Sequence, residues 1–229
     1  MELEPIYLDN HLLVLMKPAG ILAQADDTGD TDFLTMGKAW LKREFQKPGN
    51  VYLGLVHRLD RPVSGLMVFA RTSKAATRLT RAFKDRQVEK RYLALVQGKL
   101  SGSDTWADFL MKDDRRTRVV TNRHPKGKLA RLSWQVLATH QDLSLVDIEL
   151  HTGRAHQIRV QFASRGHALL GDFRYGCQRE FDGRNLALHS YRLGLEHPVK
   201  KVPLCWWAAP PQSWRGFFER HINLLLEQK

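Results

Sequence analysis

Two short apolar runs dominate the first third of the chain: residues 12–16, which end in the turn Lys17-Pro18-Ala19-Gly20, and residues 66–70, which follow Pro62 and Gly65. Apolar runs of this length, bounded by Gly and Pro, predict buried strands. Between them, residues 24–32 are polar and rich in Gly, Asp and Thr, which predicts a loop. Phe33, Met36, Trp40, Leu41 and Phe45 then recur near the helical period and predict a helix over 33–46. Ser73 stands where it could cap a helix over 73–86, with Ala76, Leu79 and Phe83 on one face and Lys74, Arg78, Arg81 and Lys84 around the rest. Further strands are expected at 92–96, 132–137, 144–150 and 186–193. Within 144–150, Val146, Ile148 and Leu150 alternate with Asp147 and Glu149, the pattern of a half-buried strand. A short helix over 155–164 and an amphipathic one over 217–226 complete the reading. Strands and helices mix without a βαβ rhythm, so the expected class is α+β with a largely antiparallel sheet.

Composition narrows this picture. The 229 residues, 43% of them hydrophobic, suffice for a real core. Repeats, linkers and composition shifts are missing, so residues 1–229 are read as a single domain. Lys and Arg exceed Asp and Glu by 36 to 24, a net charge of +12, which calls for an anionic partner such as nucleic acid. Residues 112–131 hold eight Lys/Arg against two Asp, expected to form a flexible arm on RNA phosphates. Cys177 and Cys205 offer neither a disulfide framework nor zinc spacing. His151 and His156 lack companion ligands, so no metal site is expected. Neither a signal peptide nor a run of membrane-spanning length is found, and a cytoplasmic location is expected. P-loop and dinucleotide fingerprints are lacking, and Ser64, in Pro-Val-Ser-Gly, is no nucleophile elbow.

Three segments could carry chemistry. In His57-Arg58-Leu59-Asp60-Arg61, one carboxylate stands between two arginines. Nearby cations favour its ionised form, which a nucleophile or base requires. The plain alternative is a surface Asp saturated by its arginines. In His151-Thr152-Gly153-Arg154-Ala155-His156-Gln157-Ile158-Arg159, Gly153 permits a sharp turn, and Arg154 at the following helix start could clamp a carboxylate with two parallel bonds. In Lys90-Arg91-Tyr92, an aromatic ring follows two cations at a strand mouth. That is either a stacking platform for a nucleobase, worth about 1–3 kcal/mol, or a core tyrosine.

At these segments the chain resembles the RluA family of pseudouridine synthases. Lys17-Pro18-Ala19-Gly20 is similar to the family's N-terminal motif, and His57-Arg58-Leu59-Asp60 with Ser64-Gly65 to its catalytic motif. Lys90-Arg91-Tyr92 resembles its tyrosine motif and residues 152–159 its arginine motif. Gly166-His167, Gly171-Asp172, Leu186-Ala187-Leu188-His189-Ser190 and His197-Pro198 follow in family order, so the likeness runs from about residue 6 to residue 211. Met16, Ala168 and Trp134 depart from the family's usual residues.

The resemblance implies a pseudouridine synthase fold: a mixed, mostly antiparallel sheet flanked by helices and loops, with a central RNA-binding cleft. No S4 domain is expected before it. It also implies isomerisation of uridine in ribosomal or transfer RNA to pseudouridine, after base flipping that costs a few kcal/mol. Asp60 is then the indispensable acid, whether it attacks sugar or base or acts on a sugar intermediate. Tyr92 would stack on the flipped uracil, and Arg154 would pair with Asp60. Arg58 would fill the space left by the base, within an RNA-binding set of His57, Arg58, Arg61, Lys90, Arg91, His156 and Arg159. Cofactors, metals and obligatory protein partners are not expected, and a monomer is. The competing readings are a non-catalytic RNA-binding protein on the same fold and an N-glycosylase that releases the base.

Overall fold

The structure, a computed structural model, describes residues 3–113 and 116–227. The chain forms two compact units. Unit 1 comprises Met1–Val88 and Arg192–Ala208, and unit 2 comprises Glu89–Tyr191 and Ala209–Lys229.

Unit 1 begins with β1 (Tyr7–Leu8), β2 (Leu12–Lys17), α1 (Phe33–Glu44), β3 (Gly54–Leu55), β4 (Ser64–Ala70) and α2 (Ser73–Lys84). The two apolar runs pair with each other, antiparallel, from Leu12↔Ala70 to Lys17↔Gly65. Every residue of β4 is buried because both of its faces are covered. Leu66, Val68 and Ala70 pack with Ala75 and Leu79 of α2, while Phe69 meets Phe33 of α1 at 5.9 Å between ring centroids. Helix α1 can come this close because Gly37 lacks a side chain; a Cβ there would lie 2.9 Å from Leu53. The cap of α2 is Thr72, one residue before the expected Ser73. Its backbone is extended (φ −136°, ψ 151°), and its hydroxyl accepts the Ala75 N–H at 3.2 Å.

Unit 2 holds β5 (Glu89–Gln97), β6 (Ser103–Lys112), β7 (Thr117–Val120), β8 (Lys128–His140), β9 (Leu143–Leu150) and α3 (Gln157–Ala163). The division between the units falls inside β10 (Leu188–Glu196), whose second part pairs with β11 (Pro203–Trp207) in unit 1. The last helix, α4 (Glu219–Leu226), belongs to unit 2. Strands of unit 2 run β5-β9-β8-β6-β7, all antiparallel. Helix α3 packs on one face of them through Phe162, whose ring lies 4.8 Å from Trp106 and 6.4 Å from Trp134. The α+β class with a mostly antiparallel sheet is thus as the residue pattern predicts.

Three local expectations are corrected. Residues 112–131 are not a flexible arm: they form the end of β6, all of β7 and the start of β8, with Phe109↔Val120 and Leu110↔Lys128 in register. Apolar and charged residues share the pairing positions, with Met111 opposite Arg118 and Leu110 opposite Lys128, and the cations Arg118, Lys126 and Lys128 are exposed. Of this tract, Asp114 and Arg115 lie outside the described residues. Strand β9 is buried on both faces rather than one, because Arg91 and the Tyr191 hydroxyl cover Asp147. Helix α3 starts at Gln157, so Arg154 sits in the turn before it. His156, at the cap, has φ 52°, a left-handed conformation that ends any earlier helical turn.

Candidate active site

In unit 1 the chain leaves β2 at Lys17 and re-joins β4 at Gly65, its cross-strand partner. Gly65 has φ 127°, a conformation that L side chains rarely adopt. The turn 17–20 and the loop 57–63 are therefore neighbours, and they are bonded in both directions. Gly20 N–H donates to the Arg61 carbonyl at 2.8 Å, and Arg61 Nε donates to the Gly20 carbonyl at 3.0 Å. Within the loop, Val63 N–H donates to the Asp60 carbonyl at 3.1 Å, closing the turn that presents the carboxylate.

The side chain of Lys17 is fully buried, and its Nζ donates to the carbonyls of Pro18 (2.9 Å), Ile21 (2.8 Å) and Arg61 (3.2 Å). Burial pulls its pKa down to about 7. The negative charge of Asp60 opposes that shift, and the positive charge of Arg61 adds to it. Lys17 thus holds the backbone next to Asp60 and shares its electrostatic field. The sequence marks Lys17 as part of a turn and of the family's N-terminal motif but not as a residue of the chemistry. The available signal was a lysine closing an apolar strand just before Pro-Ala-Gly.

The other residues of this segment diverge. Arg58 is exposed. Arg61 ion-pairs with Asp30 at 2.7 Å, which directs its guanidinium towards the 24–32 loop. His57 turns inward: its Nε2 accepts the Val68 N–H at 2.9 Å, and its ring stacks on Phe83 at 4.6 Å.

In unit 2, successive residues of β5 face opposite sides of the sheet. Tyr92 stands opposite Ile148, which stands opposite Trp134, so Tyr92 and Lys90 share the face that receives α3. Both are buried, at 7% and 8% exposure. Arg91 is on the reverse face, bonded to Asp147 through both Nε (3.3 Å) and a terminal nitrogen. Burial works against the Arg91 charge, but the Asp147 bond more than offsets it and raises the guanidinium's pKa above its usual range. Beside it lies a polar groove of about 480 Å³, lined by residues that include Ser103, Thr105, Ser133 and Glu149.

Arg154 is held by its neighbours' side chains. The Thr152 hydroxyl accepts the Arg131 N–H at 2.8 Å and donates to Gln157 Oε1 at 2.7 Å. Gln157 Oε1 also accepts the Arg154 N–H at 3.1 Å, and Arg154 Nε donates to the Leu129 carbonyl at 2.9 Å. Arg159 points into unit 2, where Nε and a terminal nitrogen bond Asp172 at 2.7 and 2.8 Å. Both partners are nearly inaccessible, so this pair acts inside the unit rather than on its surface. Gly171 just before it cannot be replaced without strain: φ is 84°, and a Cβ would lie 2.4 Å from the Asn185 carbonyl. His156 Nδ1 lies 2.8 Å from the Tyr175 hydroxyl. Of the three expected catalytic residues, Asp60 belongs to unit 1, and Tyr92 and Arg154 belong to unit 2.

Comparison with known proteins supplies the class to which this α+β chain belongs. The family described as RNA pseudouridylate synthase matches residues 11–164. The uncharacterized RNA pseudouridine synthase YhcT of Bacillus subtilis is 36% identical over 206 residues, covering 86% of this chain and 65% of that one. Ribosomal large subunit pseudouridine synthase D of Zymomonas mobilis is 32% identical over 230 residues, 96% of this chain and 73% of that one. The chain therefore spans under two thirds of YhcT and about three quarters of the second relative. The structure of human RNA pseudouridylate synthase domain containing 4 shares the fold, with a TM-score of 0.77 and 23% identity over 97% of this chain and 92% of that one. The chain belongs to the RluA-type RNA pseudouridylate synthase family. Among the described residues, no helix is long and apolar enough to cross a membrane.

Proposed function

We propose that the protein isomerises uridine to pseudouridine in RNA. The N1–C1′ bond of an extruded nucleotide breaks, the uracil turns, C5 joins C1′, and the hydrogen lost from C5 is balanced by one gained on N1. The observation that carries this reading is the family match over residues 11–164, a span that includes Asp60 in a loop pinned by Lys17 and by the paired bonds between Gly20 and Arg61. Asp60 supplies the carboxylate, as nucleophile or as base. Tyr92, on the α3 face of β5, stacks on the flipped uracil, and Arg154 supplies a guanidinium from a turn that side chains hold in place. Arg58, exposed beside the acid, fills the gap left by the extruded base.

Ribosomal RNA leads as the substrate, because relatives named ribosomal large subunit synthases match most of the chain. Transfer RNA is the second class to assay. In this reading the protein works in the cytoplasm as a monomer, without cofactor or protein partner. The test is Asp60→Ala, which folds, binds RNA and makes no pseudouridine by chemical labelling. Residual turnover within about tenfold of wild type removes Asp60 from the mechanism. A wild-type protein that binds RNA but converts no uridine supports the binding-protein reading instead. Free uracil among the products supports the glycosylase reading.

A further inference from the structure

The cationic hairpin of β7 and the start of β8 meets the arginine turn at two places. On the β8 side, the Leu129 carbonyl accepts Arg154 Nε at 2.9 Å. On the β7 side, the link runs through Tyr175, in the short helical turn Phe173–Tyr175. Its hydroxyl accepts the N–H of Thr117, the first residue of β7, at 3.2 Å and shares a 2.8 Å hydrogen bond with Nδ1 of His156. Its ring lies between two guanidinium groups, 5.1 Å from Arg159 and 5.2 Å from Arg116. Arg159 is fixed by Asp172, and Tyr175 N–H donates to the Asp172 carbonyl at 3.1 Å, so the phenol sits on a rigid base.

His156 is the left-handed residue that turns the chain from Arg154 into α3. Whatever fixes His156 therefore fixes where Arg154 leaves the backbone. The hairpin is also where exposed cations concentrate: Arg116, Arg118, Arg123, Lys126 and Lys128 are all exposed, which fits phosphate contacts. We propose that Tyr175 is a positioning residue: its hydroxyl ties the RNA-holding hairpin to the turn carrying Arg154, so that RNA docked on the hairpin sets the place of that arginine. This rests on the RNA reading given above and adds a residue to it.

The experiment uses Tyr175→Phe, which keeps the ring between its two guanidinium groups and removes only the bridging oxygen. The probe is protein-free large-subunit ribosomal RNA. Hydrogen exchange is followed in peptides covering 116–131 and 152–158. Wild-type protein is expected to gain protection in both on binding RNA, and Tyr175→Phe in 116–131 alone. At saturating RNA the variant's turnover should fall about tenfold, while half-saturation and thermal midpoint stay close to wild type, since a small misplacement of a catalytic group costs rate rather than binding. Equal protection of 152–158 in both proteins overturns the proposal. So does an absence of protection at 116–131 in wild type, or a variant that loses affinity and rate together. Exchange needs no turnover, so a wild-type protein that makes no pseudouridine sinks the proposed activity and leaves this coupling to be judged on its own.

Discussion

At the scale of single residues, Asp9 and Lys17 predict that stability rises with pH in two separate windows, one acidic and one alkaline. The Asp9 carboxylate accepts the N–H groups of His11 and Leu12, each at 2.8 Å, and its other oxygen lies 2.9 Å from His197 Nε2 and 3.1 Å from Lys200 Nζ. His197 Nδ1 accepts the Val199 and Lys200 N–H groups at 3.0 and 2.8 Å, so the ring hydrogen is on Nε2 and points at Asp9. Burial opposes ionisation of Asp9, but these bonds prevail and hold its carboxyl far below the usual range. A carboxyl that is depressed only in the folded state adds stability at neutral pH, and that stability is lost as pH falls below about 4. Asp9→Asn should cost about 1–3 kcal/mol at pH 7 and flatten the acid limb of a urea-denaturation series. An unaltered acid limb would show that Asp9 does not drive it.

Lys17 acts in the higher window. Its folded pKa of about 7 lies below that of an ordinary lysine, so the unfolded chain binds more protons between about pH 7 and pH 10. Its contribution to stability therefore rises with pH across that window. Lys17→Met should remove this slope from the stability profile. It should also slow turnover at pH 7 by about tenfold, because three carbonyls near the Asp60 loop lose their donor. Profiles that run parallel from pH 7 to 9.5 would refute the assignment.

Among the elements, α2 is the clearest case of an outer face awaiting a use. Lys74, Arg78, Arg81 and Lys84 form one broad exposed stripe, about 15 Å long at 1.5 Å per residue. Arg78 is committed to the Pro198 carbonyl at 2.7 Å, which leaves Lys74, Lys84 and Arg81, whose 3.3 Å ion pair with Asp85 is exposed, as the better candidates for phosphate. The triple variant K74E/R81E/K84E should weaken RNA binding and reduce the slope of log affinity against log salt by about 2–3. An unchanged slope would make the stripe simply solvated. Most elements were legible from residue pattern, including β2, β4, α1 and α2 to within two residues. Strand β7 was not, since Thr117-Arg118-Val119-Val120 lies inside a charge run whose cations outweigh its β-branched residues in any local reading. The start of α3 was misjudged because Thr152 and Gln157 build a side-chain-bonded turn there, and propensity does not register such a turn.

For the whole molecule, a net charge of +12 predicts salt-sensitive RNA binding. About six phosphate contacts would cost roughly a thousandfold in affinity between 50 and 200 mM salt. Asp60→Ala should keep this dependence, since the loss of one carboxylate leaves the cations in place. A flat titration would mean that the charge serves another purpose.

Charge, the order of the chemical segments and the class of fold were settled by the chain's own residues, because each depends on composition or on local periodicity. Sidedness and burial were left to tertiary structure. The alternation of a strand separates Arg91 from Tyr92 but does not say which of them shares a face with α3. That Arg159 serves Asp172, and that Lys17 is enclosed by three carbonyls, depends on partners brought from elsewhere in the chain: Arg61 stands 44 residues from Lys17. Desolvation is a property of the packed surroundings, so no reading of neighbours along the sequence could supply it.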